Sequence, residues 1–104
     1  MNINQQTNFK EINSLLIDLE SILENQGTSE WLKPIKAILH DLANANSDVT
    51  SDNFISAKST YKNITNNARG FSEYNIWCDD YDKRLSLNKK LDEIRTRLWV
   101  LFDL

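Results

Sequence analysis

The sequence predicts an all-α protein, a four-helix bundle in which all 104 residues form a single domain. Only two glycines and one proline occur, too few for the many turns of a β-sandwich or barrel. Apolar residues recur at three- and four-residue steps in four separate stretches, the spacing of amphipathic helices. Hydrophobic residues make up 40% and charged residues 26%, the balance of an ordinary globular domain with one core.

The first predicted helix follows a polar start, residues 1–7, which we expect to be frayed. Asn8 with Glu11 three residues later resembles a capping box and predicts the beginning of the helix. Gly27 is placed to end it. Its apolar stripe consists of Phe9, Ile12, Leu16, Leu19 and Leu23.

The second predicted helix is complicated by Pro34, which lacks an N–H donor and crowds the preceding turn. The sequence therefore predicts a short first turn at 29–33, capped by Thr28 or Ser29, and a regular helix over 34–45. The apolar face consists of Trp31, Ile35, Ile38, Leu39 and Leu42.

The third predicted helix begins after Ser51, a favourable N-cap residue, and Gly70 can terminate it. Its stripe consists of Phe54, Ala57, Tyr61, Ile64 and Ala68. Because this stripe has little apolar mass, we expect the helix either to pack closely or to leave a shallow groove beside it.

The fourth predicted helix is capped by Asp82, and its apolar face consists of Leu87, Leu91, Ile94, Leu98 and Leu101. Lys83, Lys90 and Arg97 lie seven residues apart beside this face. They form either a solvated flank or a phosphate-binding face. The predicted core of the whole bundle is Phe9, Leu16, Leu19, Leu23, Ile35, Leu42, Tyr61, Ile64, Leu91, Ile94 and Leu98.

The segment before the fourth helix, residues 71–82, contains four of the ten aromatic residues and four acids but no base. We expect Phe71 and Trp77 to anchor it in the core, because buried rings stabilise strongly. Two interpretations remain open, a structural loop or a binding surface with aromatic anchors. The candidate partner-binding residues are Glu73, Tyr74, Asp79, Asp80, Tyr81 and Asp82.

No enzymatic chemistry is predicted. His40 is the only histidine and Cys78 the only cysteine, and neither has a catalytic partner at motif spacing. The carboxylates of 79–82 lack the glycine and the ligand pattern of an EF-hand loop. We therefore predict no catalytic, cofactor-binding or metal-ligating residue.

The charge and the apolar pattern restrict the partners. A net charge of −3 disfavours non-specific nucleic-acid binding and favours a basic protein surface. The longest apolar run, at 98–102, is too short to cross a membrane. The N-terminal residues lack the pattern of a secretory signal, and a single cysteine fits a reducing compartment, so we predict a cytoplasmic protein.

The aromatic turn at 68–77 and the last helix, with Asn88 before Leu91, Ile94 and Leu98, resemble the small acidic all-helical immunity proteins that bacteria make against secreted toxins. The resemblance implies stoichiometric neutralisation of a cognate toxin, by plugging its active site or by covering an exosite. The alternative is a non-enzymatic helical adaptor or homodimer. In that case, Trp99 and Phe102 would supply a subunit interface from the fourth helix.

Overall fold

A computed structural model describes residues 3–26, 29–66 and 70–104 as an all-α, four-helix single domain. The helices are α1 (Ile3–Gln26), α2 (Ser29–Asn44), α3 (Asp52–Asn66) and α4 (Tyr81–Leu101), with one 3₁₀ turn at Phe71–Glu73. The body is elongated and measures 46 × 23 × 22 Å. The predicted fold class is confirmed.

The helices pack around one apolar core, with α2 between α1 and α3, and with α4 along the other side of α1. Ten of the eleven predicted core residues are buried, and the exception, Ile64, is half-buried against the core. The core also contains Ile12, Ile38, Ala45, Phe54, Ala57, Phe71, Ile76 and Phe102. The helical stripes therefore account for most of the bundle interior.

The helix α1 begins earlier than expected. It starts at Ile3, so Asn8 lies inside the helix and the capping box predicted there is wrong. Because most of the segment expected to be frayed is helical, the stripe of α1 is preceded by another turn and a half. Gly27, predicted to end the helix, lies outside the described residues.

The helix α2 runs without interruption through Pro34, so the predicted break after a first turn is wrong. The carbonyl that a proline at this position leaves without a partner belongs to Glu30. Because Glu30 is exposed, water can satisfy that carbonyl. Lys36 of the same helix reaches Glu24 of α1 at 3.1 Å, and this pairing raises the pKa of Lys36.

The connection between α2 and α3 is tight, and Asn46 and Ser47 both adopt positive φ angles, 52° and 61°. Asp48 stabilises the turn by accepting bonds from the amide of Thr50 at 2.9 Å and from its hydroxyl at 2.6 Å. The hydroxyl of Ser51 then accepts the amide N–H of Phe54 at 3.1 Å. The predicted cap of α3 is therefore confirmed.

The helix α4 has well-formed ends. Asp80, not Asp82, is its N-cap, and the Asp80 carboxylate accepts the amide N–H of Lys83 at 3.0 Å. Asp82 lies in the first turn instead, where a negative charge is also favourable. At the other end, the amides of Asp103 and Leu104 bond back to the last turn. These bonds form a Schellman motif in which Asp103 takes the left-handed conformation.

The aromatic side chains of the core bridge α3 and α4. Phe102 lies 5.7 Å from Phe54 and 5.5 Å from Tyr61, measured between ring centroids. The Tyr61 hydroxyl donates to the carbonyl of Arg95 at 3.2 Å. A groove of about 570 Å³ lies between α3 and α4 and is lined by Tyr61, Thr65, Ser72, Asp92, Arg95, Thr96, Trp99 and Val100. Of the two alternatives predicted for the third helix, close packing describes its contact with α2, and a groove lies on its α4 side.

Candidate functional site: a strap on the last helix and an exposed ring cluster

Residues 70–80, here called the strap, connect α3 to α4. After the 3₁₀ turn, Tyr74 has an extended conformation, and burial alternates from residue to residue over 74–78, with Ile76 buried and its neighbours Asn75 and Trp77 exposed. Phe71 is fully buried and Ile76 is 2% exposed, and these two side chains fasten the strap to the core. The anchor role predicted for Phe71 is confirmed.

Trp77 is not a core anchor, and that prediction is wrong. Its side chain is 74% exposed, the largest exposed fraction among the exposed large hydrophobic residues of the described chain. The reason is the alternation along the strap. Since Ile76 turns inward, its successor turns outward. Ile76 therefore fills the core position that we predicted for the indole of Trp77.

The guanidinium of Arg95 holds the beginning of the strap. Nη1 donates to the carbonyl of Phe71 at 2.6 Å and to the carbonyl of Tyr74 at 2.7 Å, and Nη2 binds the carboxylate of Asp92. The same group lies 5.5 Å from the centroid of the Phe71 ring. Arg95 is only 7% exposed, so it is a buried positive charge with three oxygen acceptors. The sequence did not predict this role.

The side-chain amide of Asn88 holds the middle of the strap. Its Oδ1 accepts the N–H of Ile76 at 2.7 Å, and its Nδ2 donates to the carbonyl of Ile76 at 2.9 Å. A neighbouring β-strand would satisfy the same two groups in the same way. Nδ2 also donates to the carbonyl of Arg84 at 3.0 Å. Asn88 and Arg95 are seven residues apart and therefore share one face of α4.

An exposed cluster of rings lies where the strap meets α4. The guanidinium of Arg84 lies 4.1 Å from the centroid of Trp77 and 5.3 Å from that of Tyr81. Tyr81 is 61% exposed, as the sequence analysis expected of a surface aromatic. We call Trp77, Tyr81 and Arg84 the ring cluster. Each guanidinium contact with an exposed ring contributes about 0.5–1 kcal/mol, so the cluster is held in place at small energetic gain.

Three predicted carboxylates surround the ring cluster, and they differ in what they do for the fold. Asp80 caps α4 and Asp82 lies in its first turn, so both stabilise the helix. Asp79 is exposed and is neither the N-cap of α4 nor part of its first turn. None of the three forms an ion pair with any described basic group. The cluster is therefore an aromatic surface with acids at its edge.

The other two predicted site residues lie apart from this surface. Tyr74 is half-buried and stacks on Phe71 with the centroids 6.2 Å apart, and burial raises the pKa of its hydroxyl. Glu73 and Tyr74 line a small cavity of about 250 Å³ beside Trp31. Tyr74 is only three residues before Trp77, so their Cα atoms are at most about 11 Å apart, but its carbonyl is bound by Arg95 and its ring packs on Phe71 instead of joining the cluster. The structure thus divides the predicted site in two.

The remaining candidate groups have ordinary surroundings. His40 is exposed, and the side-chain amide of Asn44 lies 3.4 Å from its ring and donates to its carbonyl. The thiol of half-buried Cys78 lies 3.4 Å from the carbonyl of Asp80. Within the described ranges, no group of three or more histidine, cysteine or acidic residues is arranged to hold a metal ion. No described helix is long and apolar enough to span a bilayer.

The basic flank predicted on α4 joins two helices at one of its positions. Arg97 donates to the carboxylate of Glu11 on α1 at 2.7 and 3.1 Å, and this pair lowers the pKa of Glu11. Lys83 and Lys90 are exposed. These basic residues fit a solvated flank better than a phosphate-binding face, since Arg97 is already paired with Glu11.

The fold and the site define a small helical bundle with two exposed aromatic rings packed on an arginine. Comparison with protein-family models, with curated proteins and with solved structures finds no match to this chain.

Proposed function

We propose that this protein is a non-enzymatic, cytoplasmic immunity protein that binds and stoichiometrically neutralises a cognate bacterial toxin with a basic surface. The observation that carries the proposal is the ring cluster, in which Trp77 is 74% and Tyr81 61% exposed on a well-tethered backbone. Tryptophan and tyrosine are enriched among the residues that dominate protein–protein binding energy. A tethered ring loses little conformational entropy on binding.

The acids at the edge of the cluster favour a basic partner. Asp79 has no ion-pair partner among the described residues and no role in capping α4. Its charge is free to attract a lysine- or arginine-rich surface and to raise the association rate. Trp77 replaces Tyr74 at the centre of the proposed interface. Glu73 and Tyr74 belong to its far edge, because they lie near Arg95 at the other end of the strap.

The test is growth protection and binding kinetics with the product of the adjacent open reading frame. Co-expression of this chain should rescue cells that the product alone arrests. Trp77→Ala should speed dissociation and weaken the binding free energy by roughly 1–3 kcal/mol, the range of an interface hot spot. Asp79→Asn should slow association and flatten its salt dependence.

The matched control is Ile55→Ala, because Ile55 is an exposed apolar residue of α3 next to Phe54, whose ring packs on Phe102 at the opposite end of α4 from the ring cluster. This variant should leave both rates unchanged. If the association and dissociation rates change equally in Trp77→Ala, Asp79→Asn and the control, or change in none of them, the interface lies elsewhere.

A second candidate function, the homodimeric adaptor, is favoured by one observation. Val100 is 59% exposed and lines the groove between α3 and α4 together with half-buried Trp99. Phe102 does not serve this interface, since it is 1% exposed in the core. Light scattering separates the two functions. A chain that remains monomeric until the toxin is added supports the immunity protein, whereas a dimer that Val100→Lys dissociates supports the adaptor.

A further inference from the structure

The main chain of the strap depends on side chains of α4 for its hydrogen bonds. Apart from local bonds at its two ends, four of its main-chain groups are held by two residues. Arg95 binds the carbonyls of Phe71 and Tyr74, and Asn88 binds both the N–H and the carbonyl of Ile76. The strap is therefore attached to one helix face by two clamps.

Asn88 also joins the two halves of the ring cluster. One of its clamped groups is the carbonyl of Ile76, which forms the peptide bond to Trp77. The other acceptor of its Nδ2 is the carbonyl of Arg84, the residue on which the Trp77 ring stacks at 4.1 Å. A single amide group thus fixes the backbone on both sides of the exposed stack.

We infer that Asn88 and Arg95 are positioning residues of the partner-binding surface, because they set where Trp77 stands relative to α4. The inference rests on the proposed function, since it concerns the same surface. The stack of Trp77 on Arg84 is exposed to water and is too weak by itself to order an extended backbone. Without the clamps, the buried side chains of Phe71 and Ile76 would still attach the strap, but the main chain that carries Trp77 would sample more positions, and binding would carry the cost of ordering it.

The experiment compares Asn88→Ala with the wild type and with Lys89→Ala, a substitution at the exposed neighbouring position of α4. Backbone ¹⁵N order parameters are measured in the free protein. In Asn88→Ala, the values at 75–78 should fall from about 0.85 to below about 0.6, while those of the helices remain unchanged. Lys89→Ala should match the wild type throughout.

The second measurement is the affinity of the same variants for the purified product of the adjacent open reading frame. Asn88→Ala should raise the Kd about tenfold, the scale expected when clamped polar groups lose their partner. Arg95→Lys, which keeps the charge but loses the rigid fork of donors, should change order and affinity in the same direction. A residue with a merely structural role would lower the melting temperature without changing either quantity.

The outcomes separate the two claims. Unchanged order parameters in both variants would overturn the positioning role whether or not a partner is found. Loosened order with an unchanged Kd would also overturn it. If the wild type itself does not bind, the proposed function fails, and the order parameters alone then decide whether the clamps position the strap.

Discussion

Arg95 and Arg84 both lie against aromatic rings of the strap, and they differ in burial. Arg95 is 7% exposed and adds two carbonyls and a carboxylate to its contact with the buried Phe71 ring. Arg84 lies closer to its ring, at 4.1 Å, but that ring, Trp77, is 74% exposed. An arginine packed on an aromatic ring thus stabilises the fold at the Arg95 end of the strap. At the Arg84 end, the same kind of contact leaves the ring exposed to solvent.

The difference teaches that ring contact alone does not separate a structural anchor from a binding residue. At the Arg95 end, the rings face the core and the charge is satisfied by the main chain. At the Arg84 end, water has access to the indole, so its apolar area contributes free energy only when a partner covers it. Substitutions of the two rings, Phe71 and Trp77, should therefore affect different measurements.

The largest expected effect is on stability at the buried end. Phe71→Ala should lower the free energy of unfolding by about 3–5 kcal/mol, because it removes a fully buried ring and leaves a cavity next to Trp31. Urea denaturation measures the change. A loss below about 1 kcal/mol would show that the strap is attached mainly by its polar clamps.

The two arginines can be compared directly. Arg95→Met should lower the free energy of unfolding by about 2 kcal/mol, because the Tyr74 carbonyl loses its donor and the Phe71 carbonyl keeps only the N–H of Tyr74. Arg84→Met should cost less than about 1 kcal/mol, since its stack is exposed. Equal losses in the two denaturation curves would remove the distinction drawn between the two ends.

High pH should lower the free energy of unfolding through two tyrosines near Arg95, Tyr61 and Tyr74. Burial raises the pKa of the Tyr61 hydroxyl, although the nearby charge of Arg95 opposes the shift, and burial also raises the pKa of Tyr74. Because the folded pKa lies above the unfolded one, this stability is complete below about pH 10 and is lost as the pH rises through the folded values.

The expected slope is at most about 1.4 kcal/mol per pH unit for each tyrosine. Unfolding curves recorded between pH 9 and about 12 measure it. Tyr61→Phe should flatten the dependence, although it also removes the bond to the Arg95 carbonyl. A dependence as steep in Tyr61→Phe as in the wild type would assign the effect to other groups.

The smallest expected effect on stability is at the exposed end. Trp77→Ala should change the free energy of unfolding by less than about 1 kcal/mol, because the indole gives up little buried area and one exposed stack. The same urea curves serve as the measurement. A loss of more than about 2 kcal/mol would return Trp77 to the role of core anchor and weaken the proposed interface.

The bundle could be predicted from the sequence because helical periodicity records which side faces the core. Leu16 and Leu91 are both fully buried, as their stripes predict. Position in an extended segment is harder to predict, because one residue of shift exchanges the two faces. Ile76 and Trp77 are adjacent and both apolar, so no pattern in the sequence decides between them, and the larger ring was the wrong choice.

The clamps escaped prediction for a different reason. A basic residue at the edge of an apolar stripe usually lies in solvent, so Arg95 gave no sign of burial. One usable signal was present. Asn88 and Arg95 lie seven residues apart, next to the apolar face and opposite a strap rich in unpaired main-chain groups. Of the candidate site, Tyr81 was named as a surface residue and is exposed, but Trp77 was assigned to the core, and the packing of Tyr74 on Phe71 was not predicted.

The spacing of the clamps also leads us to expect an order of folding. Asn88 and Arg95 lie on one line only when α4 is helical, so the strap cannot be held until that helix has formed. Its hydrogen bonds should then be absent from the folding transition state. Asn88→Ala should speed unfolding and leave the folding rate nearly unchanged, as expected for a position with a φ-value near zero. The proposed partner-binding surface would then be the last part of the molecule to form and the first to open.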